Sequence, residues 1–214
     1  DGKYSRKDLY ELYKTGKGKE IKEKIDEQFK NVWFYDRSSP TVQDIREYIL
    51  EVEKTSGQKV KLVVIDYFER VSCDMSDDTA ASKRVMADIQ DLMNDLGCCV
   101  IVLFQPNKMS ISGGPSTPIL SYTSIKGSSF VFQSLRNIVS MWRPFLDPEL
   151  IEHDKYLSMA ILKNDLGELG KFDFKWFGKQ GKIVSLEDHE HNELKELLKL
   201  KEMIKNKEGK SEWN

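Results

Sequence analysis

The sequence is poor in cysteine and contains no long apolar run. Its 214 residues include three cysteines, of which Cys98 and Cys99 are neighbours on a predicted strand and Cys73 stands apart. This spacing gives no disulfide framework and indicates core thiols in a reducing compartment. No apolar run approaches the length of a bilayer span, and no signal-peptide pattern opens the chain. The composition, 32% charged and 39% hydrophobic, predicts a globular protein with one substantial core.

Acidic residues are missing from one long stretch of the chain. No Asp or Glu occurs between Asp95 and Asp147, and residues 106–129 within this stretch are rich in Pro, Gly and Ser. The charged residues that remain there are all cationic: Lys108, Lys126, Arg136 and Arg143. A buried sheet with few charges of either sign is one explanation. A long, acid-free loop also suits a polyanion, either nucleotide phosphate or a nucleic-acid backbone.

Two short apolar runs each lead into a polar residue. The run "LVVI" at 62–65 precedes Asp66, and "CCVIVLF" at 98–104 precedes Gln105. Such runs predict strands that are buried on both faces. A carboxylate at the end of a buried strand is costly to desolvate without a cation or hydrogen-bond donors, so Asp66 is either a ligand-binding acid or the cap of the next turn.

An amphipathic helix is predicted between these two strands. Thr79 is a candidate cap at its start, and Gly97 is a residue that can end it. Strand, helix and strand form a βαβ unit with a right-handed crossover. Asp66 and Gln105 would then leave the same edge of a parallel sheet, which is where ligands bind in α/β proteins.

The rest of the chain gives further helices and strands and then an antiparallel region. Alternating residues around a Gly167/Gly170 turn predict a hairpin, to which a third strand is added, followed by a charged amphipathic helix. The predicted helices are 5–14, 19–30, one that starts at about Pro40 and ends at Gly57, 128–135 and 188–207. The predicted strands are 32–35, 137–142, 156–163, 171–177 and 182–186.

The order of these motifs resembles the RecA-type ATPase core of DnaB-like replicative hexameric helicases, and phage versions in particular. The matching strings, within roughly residues 32–186, are "VVIDYFERV", "VIVLFQPNK", "SIKGSSFVFQ" with "NIVSMWRP", and "AILKNDLGELG". The resemblance implies an α/β fold, a RecA-like P-loop NTPase core with a mostly parallel sheet flanked by helices and an antiparallel C-terminal hairpin. Residues 1–186 would be part of this domain, and 187–214 a charged helix and tail.

The same resemblance implies a role for individual residues. Asp66 matches the Walker B aspartate that holds Mg²⁺, and Gln105 matches the residue that senses the γ-phosphate of ATP. Arg143 matches an arginine that contacts the nucleotide base, and Lys163 matches a lysine that reaches the ATP of the neighbouring subunit. The residues that match DNA-contacting positions are Lys108, Lys126, Ser128 and Gln133.

The cofactors and partners follow from the resemblance as well. They are ATP and Mg²⁺, single-stranded DNA, further copies of the chain in a homo-hexamer with ATP sites between subunits, and a primase or helicase loader. No membrane is involved, and the expected location is the cytoplasm of a bacterial or phage-infected cell.

The sequence departs from the family pattern at three points. No G-x-x-x-x-G-K-[ST] motif occurs, Asp165 stands where the family has a finger arginine, and Gly127 replaces a common acidic residue. The first departure indicates a fragment of a longer protein or a pseudo-ATPase. We expect the missing phosphate-loop strand to lie between strands 62–66 and 98–104, so that the chain alone has unpaired buried edges and is unstable or aggregates.

The favoured interpretation is the C-terminal part of the ATP-dependent motor domain of a replicative DNA helicase, which translocates on single-stranded DNA. The alternative is a non-hydrolysing RecA-like module that binds DNA or joins a ring. A recombinase-like or circadian-clock-like RecA relative is a third interpretation, which the motif from Lys126 to Gln133 fits less well.

Overall fold

The structure is a computed structural model that describes residues 6–16, 18–105, 128–146 and 148–211. The described residues form two compact units, which we name after their sheets. The parallel-sheet unit contains residues 24–105 and 128–136. The antiparallel-sheet unit contains the described residues up to 23 and those from 137 onward.

Six α-helices and six strands occur in the described residues, with two 3-10 helices at Phe68–Arg70 and Pro148–His153. The helices are α1 (Arg6–Lys14), α2 (Lys19–Gln28), α3 (Val42–Ser56), α4 (Asp78–Leu96), α5 (Ser128–Ser134) and α6 (Asp188–Ser211). The strands are β1 (Leu62–Ile65), β2 (Cys99–Val102), β3 (Asn137–Trp142), β4 (Tyr156–Asn164), β5 (Gly170–Phe177) and β6 (Lys182–Ser185). Among these helices, none has both the length and the apolar content to cross a membrane.

The predicted βαβ unit is present in the parallel-sheet unit. Leu62 lies opposite Cys99 and Ile65 opposite Val102 in a parallel pair, and α4 connects the two strands. The sheet face that carries Ile65 packs against α3 and α4. The buried apolar cluster of this unit consists of Val42, Ile45, Ile49, Ile65, Phe68, Val85, Met86, Ile89, Leu92 and Val131.

The predicted gap between these two strands is wrong, because β1 and β2 pair with each other directly. The pairing even continues past the strand ends. The Leu103 amide donates to the carbonyl of Ile65 at 3.0 Å, and the Phe68 amide donates to the carbonyl of Leu103 at 2.8 Å. No strand can lie between β1 and β2. The expected instability of the isolated chain stays a prediction, but this gap no longer supports it.

The prediction that these strands are buried on both faces is also wrong for the described residues. Alternate side chains of the sheet, among them Leu62, Val64 and Ile101, are about half exposed. The reason is that α3 and α4 both pack on the face that carries Ile65. The same alternation separates the neighbouring thiols, since Cys98 is buried and Cys99 is exposed, so Cys99 is not a core thiol.

The ends of the two long helices follow local capping rules. Thr41 caps α3 and Gly57 ends it. Gly97 ends α4 as predicted, with a left-handed φ of 63°. The N-cap of α4 is Asp77, two residues before the predicted Thr79, because the Asp77 carboxylate accepts a hydrogen bond at 2.6 Å from a backbone N–H three residues further on.

The predicted strand at 32–35 is an irregular extended segment instead. The Tyr48 hydroxyl of α3 donates to the carbonyl of Phe34 at 3.0 Å, and the rings of Tyr35 and Tyr48 lie 4.6 Å apart. A side chain of α3 therefore takes up a backbone group that a neighbouring strand would otherwise bind. The extended segment is fixed by α3 without joining a sheet.

The antiparallel-sheet unit confirms the predicted hairpin and third strand. Its four strands lie in the order β3-β4-β5-β6, and each neighbouring pair is antiparallel. The helix α6 contributes Leu194 to a cluster of four buried residues, with Phe145, Leu150 and Tyr156. The predicted amphipathic pattern of the last helix therefore corresponds to packing within this unit.

Candidate functional site

Asp66 and Gln105 lie at one edge of the parallel pair. Asp66 is the first residue after β1, and Gln105 is the third residue after β2. Since the two strands are parallel and Ile65 lies opposite Val102, their carboxyl ends meet at the same edge. Both side chains are exposed. The structure thus brings together the carboxylate and the amide that the sequence placed at a shared ligand-binding edge.

The backbone around Asp66 is fixed on both sides while its carboxylate faces solvent. Ile65 is buried before it, and Phe68 is buried after it with its ring 4.8 Å from that of Phe104. The peptide bond between Asp66 and Tyr67 is cis. The exposed carboxylate of Asp66 is therefore accessible to a cation from a fixed stretch of backbone.

The single carboxylate of Asp66 suits Mg²⁺ better than it suits a metal ion whose ligands all come from the protein. In the described part of the chain, no group of three or more His, Cys, Asp or Glu residues could hold a metal ion. Mg²⁺ commonly takes one or two carboxylates and completes its octahedron with water and phosphate oxygens. A single exposed carboxylate such as that of Asp66 is compatible with this mode of binding.

The predicted DNA-contacting residues are only partly described. Lys108 and Lys126 lie outside the described residues, and the side chain of Ser128 does as well, although Ser128 is the first residue of α5. Gln133 lies on α5 with an exposed side chain. The helix is fixed because Val131 is fully buried and the Gln90 side-chain amide donates to the Ser134 carbonyl at 2.8 Å; these residues all belong to the parallel-sheet unit.

Arg143 belongs to the antiparallel-sheet unit and follows the last residue of β3. Its Nε donates to Oδ1 of Asp154 at 2.9 Å, and its Nη2 forms an ion pair with Oδ2 of the same carboxylate. The Asp154 side chain is 11% exposed, whereas that of Arg143 is 37% exposed. A two-point contact of this kind fixes the plane of a guanidinium while its outer part remains accessible.

Lys163 lies near the end of β4, opposite Ile138. Its Nζ is 3.5 Å from a carboxylate oxygen of Asp165, and the two side chains are 21% and 45% exposed. Asp165 is the residue that stands at the position of the family's finger arginine. The structure therefore shows that this departure places a negative charge directly beside the predicted ATP-contacting lysine.

Arg143 and Lys163 lie at opposite ends of the same strand pair. Trp142, which precedes Arg143, is opposite Ser158, while Lys163 is opposite Ile138. Ser158 and Lys163 are five residue steps apart on β4, which corresponds to roughly 17 Å at about 3.4 Å per residue. The structure therefore does not bring the two cations together.

Two residues near Arg143 were not identified from the sequence. Asp154 is its partly buried partner, and Lys201 of α6 donates from Nζ to the carbonyl of Pro144 at 2.6 Å. No spacing pattern relates either residue to Arg143, because both contacts depend on how the chain returns to the end of β3. The acid-free stretch gives one weak indication that an acidic partner of Arg143 comes later in the chain, because no acidic residue lies near Arg143 on its N-terminal side.

Comparisons with known proteins address the fold and the family. A family model described as the DnaB-like helicase C terminal domain matches residues 7–185. Among curated proteins, none matched the chain. A solved structure of a DnaB-like replicative helicase and its interactions with primase has a TM-score of 0.62 and 21% identity. The ATPase domain of G40P has a TM-score of 0.63 and 19% identity.

Each of these structures covers 72% of this chain, which in turn covers 37% and 54% of their respective chains. The structural likeness establishes a RecA-like helicase ATPase fold for the two units, in agreement with the α/β fold predicted from the sequence. The family match extends over most of the chain and includes all four of the sequence motifs. This chain belongs to the family of DnaB-like helicase C-terminal domains.

Proposed function

We propose that the chain forms part of an ATP-hydrolysing motor that translocates on single-stranded DNA and unwinds duplex DNA at a replication fork. The observation that carries the proposal is the shared edge of β1 and β2, where Asp66 and Gln105 follow the two strands with exposed side chains, in the order of the family motifs. The family match and the RecA-like fold support it.

In this proposal Asp66 binds Mg²⁺, directly or through water, together with phosphate oxygens of ATP. The ion neutralises charge on the phosphates during hydrolysis. Gln105 accepts or donates a hydrogen bond at the γ-phosphate and leads into residues 106–127. A change at the γ-phosphate can therefore reach the segment that contains Lys108 and Lys126 through the main chain itself.

DNA binding is assigned to the acid-free stretch. Its cationic residues would contact the phosphate backbone, which gives binding that is independent of sequence and weakens as salt is raised. The residues proposed to contact DNA are Lys108, Lys126, Ser128 and Gln133. α5 would present the last of these from a helix that is anchored in the core.

Assembly as a homo-hexamer would place Lys163 at the ATP of the neighbouring subunit. The separation of Lys163 from Arg143 along β4 supports this arrangement, since one cation would serve each subunit's own nucleotide and the other its neighbour's. A primase or a helicase loader is a further proposed partner. The 214 residues contain no phosphate-loop motif, so the proposal requires that residues outside them supply the phosphate cradle.

The experiment is single-stranded-DNA-stimulated ATP hydrolysis by the complete assembled protein, with Asp66→Asn as the variant. Because the magnesium ligand is lost, we expect turnover to fall by at least about a hundredfold, equivalent to some 2.7 kcal/mol of barrier. Asp74→Asn removes a nearby exposed carboxylate and is the matched control, expected to retain activity. Stimulated turnover that survives in Asp66→Asn would contradict the assignment.

A non-hydrolysing RecA-like module is the second candidate, favoured by Asp165 beside Lys163. In that case neither the wild type nor Asp66→Asn would hydrolyse ATP, while DNA binding would be retained. The same experiment therefore separates the two functions.

A further inference from the structure

We propose that Asp154 and Lys201 are positioning residues for Arg143, and that together they fix the Arg143–Pro144 turn so that its guanidinium meets a nucleotide base as a rigid plane. The inference rests on the proposed function in one respect, since it takes Arg143 to be the residue that contacts the base. All three residues belong to the antiparallel-sheet unit.

Arg143 and Asp154 form a two-point contact. Both carboxylate oxygens of Asp154 are used, one by Nε at 2.9 Å and the other by Nη2. This contact occupies one edge of the guanidinium and leaves its two flat faces and its Nη1 edge for another partner. A flat cation whose faces are not used by this contact is suited to stacking on an aromatic base. The contact with Asp154 therefore orients Arg143 without blocking its stacking on a base.

Asp154 lies on a backbone that is held by hydrogen bonds. It ends the turn after the 3-10 helix, where its amide donates to the carbonyl of Ile151 at 3.1 Å. The next carbonyl, of Lys155, accepts a hydrogen bond at 2.7 Å from the amide of Trp176 on β5. On the other side, Phe145 is fully buried two residues after Arg143. The carboxylate is therefore attached to a backbone that cannot easily follow a moving arginine.

A side chain of α6 contacts the backbone next to Arg143. Lys201 is a buried residue, and its ammonium donates to the carbonyl of Pro144, the residue directly after Arg143, at 2.6 Å. A charge-assisted hydrogen bond to a main-chain carbonyl is stronger than a neutral one, and proline already restricts the backbone there. Asp154 fixes the side chain of Arg143, and Lys201 fixes the backbone that carries it.

The hydrogen bond from Lys201 also indicates a role for α6 itself. The family match ends at residue 185, whereas α6 runs from Asp188 to Ser211. A helix beyond the matched region thus supports a residue within it. We infer that α6 is a structural component of the base-recognition site, and that changes on its buried face alter nucleotide binding.

The test is titration of the complete assembled protein with a fluorescent N-methylanthraniloyl-ATP. We expect Asp154→Asn to weaken nucleotide binding by about tenfold, equivalent to about 1.4 kcal/mol, because the arginine must then be ordered by the ligand. Lys201→Met should weaken it by a few-fold. Two controls keep wild-type affinity: Glu193→Gln, which removes the 2.7 Å pair with Lys155, and Lys199→Met on the exposed face of α6.

A double-mutant cycle separates positioning from general damage to the fold. In an Arg143→Ala background, Asp154→Asn and Lys201→Met should cause no further loss of affinity, since the residue that they position is gone. An equal loss in both backgrounds would overturn the proposal. So would wild-type affinity of Asp154→Asn beside a weakened Arg143→Ala, which leaves the base contact intact. An unchanged Arg143→Ala would instead contradict the base contact itself and, with it, the positioning.

A measurement on the wild-type chain needs no variant. In an NMR spectrum of the full chain labelled at arginine nitrogen, the Nε proton of Arg143 should exchange with water much more slowly than that of exposed Arg136. Equal exchange rates would show that the contact with Asp154 does not hold the side chain, and would overturn the proposal even if the substituted chains failed to fold.

Discussion

In the parallel-sheet unit, Asp66 and Gln105 lie exposed beyond the ends of β1 and β2, whereas in the antiparallel-sheet unit Arg143 and Lys163 each lie beside a carboxylate of the same unit. The acid and the amide are open to a metal ion, water or phosphate. The cations are already neutralised in part. The difference indicates that the first pair is accessible to a cation, whereas an anionic ligand at Lys163 would have to compete with the carboxylate of Asp165.

The two units also differ in how they are stabilised. Among the described residues, the apolar cluster of the parallel-sheet unit has ten buried members, and that of the antiparallel-sheet unit has four. The second unit adds charged contacts between its sheet and α6, such as Lys175 with Glu190 and Lys155 with Glu193. We therefore expect the first unit to depend mainly on apolar packing and the second also on charge.

The largest expected effect is a cavity in the larger cluster. Leu92 is 0% exposed on α4, and Leu194 is 2% exposed on α6, so Leu→Ala at each site compares the units with the same chemical change. We expect Leu92→Ala to cost about 4 kcal/mol and Leu194→Ala about 2–3 kcal/mol, because fewer buried neighbours surround the second site. Urea denaturation followed by circular dichroism measures both changes.

Leu50→Ala on α3 is the control for this pair, since Leu50 is substantially exposed and its truncation should cost less than about 1 kcal/mol. A greater loss for Leu194→Ala than for Leu92→Ala would mean that the smaller cluster is the more tightly packed one, and would reverse the comparison.

A smaller effect concerns the charges that hold α6. The hydrogen bond from Lys175 lowers the pKa of Glu190 below its ordinary value of 4.5, and the backbone N–H of Glu187 lowers that pKa further. A carboxyl whose pKa is lower in the folded state stabilises the protein above pH 4.5, and this contribution is lost as the pH falls through the folded-state pKa. Glu190→Gln should therefore lower the urea midpoint at pH 7 and have less effect at pH 3.

Arg84 and Asp88 provide the matched control in the other unit, since they form an exposed pair one helical turn apart on α4. Asp88→Asn should change the midpoint little at either pH. If Glu190→Gln lowered the midpoint equally at pH 7 and pH 3, the stabilisation would come from packing of the side chain and not from its charge.

The sequence predicted where the helices and strands lie better than it predicted which of them are adjacent. Periodicity located α4 and the β4–β5 hairpin, because the spacing of apolar residues reports which side chains one element buries. Strand order is a property of the whole sheet, so the direct pairing of β1 with β2 was not predicted. The segment at 32–35 has the composition of a strand, but Tyr48 satisfies the Phe34 carbonyl in another way.

The same limit applies to the site. The position of Asp66 and Gln105 at one edge was predicted because each directly follows an apolar run, and parallel strands place such residues at the same edge. Asp154 was missed because its contact with Arg143 is closed by a turn and a 3-10 helix, for which the sequence has no periodic signal. Lys201 was missed for the same reason at a greater separation in the chain.

The smallest expected effect on stability, and the sharpest test of the comparison, is at Asp165. Its carboxylate lies 3.5 Å from Lys163 near the surface, and exposed pairs of this kind contribute less than about 1 kcal/mol. Asp165→Asn should therefore leave the urea midpoint nearly unchanged. If Lys163 contacts the ATP of a neighbouring subunit, removing the competing charge should raise DNA-stimulated hydrolysis by a few-fold, measured as turnover at saturating ATP. Glu168→Gln, on the same hairpin, should not. Unchanged turnover in Asp165→Asn would mean that the carboxylate does not limit Lys163, and that a neighbouring acid is not a functional difference between the two units.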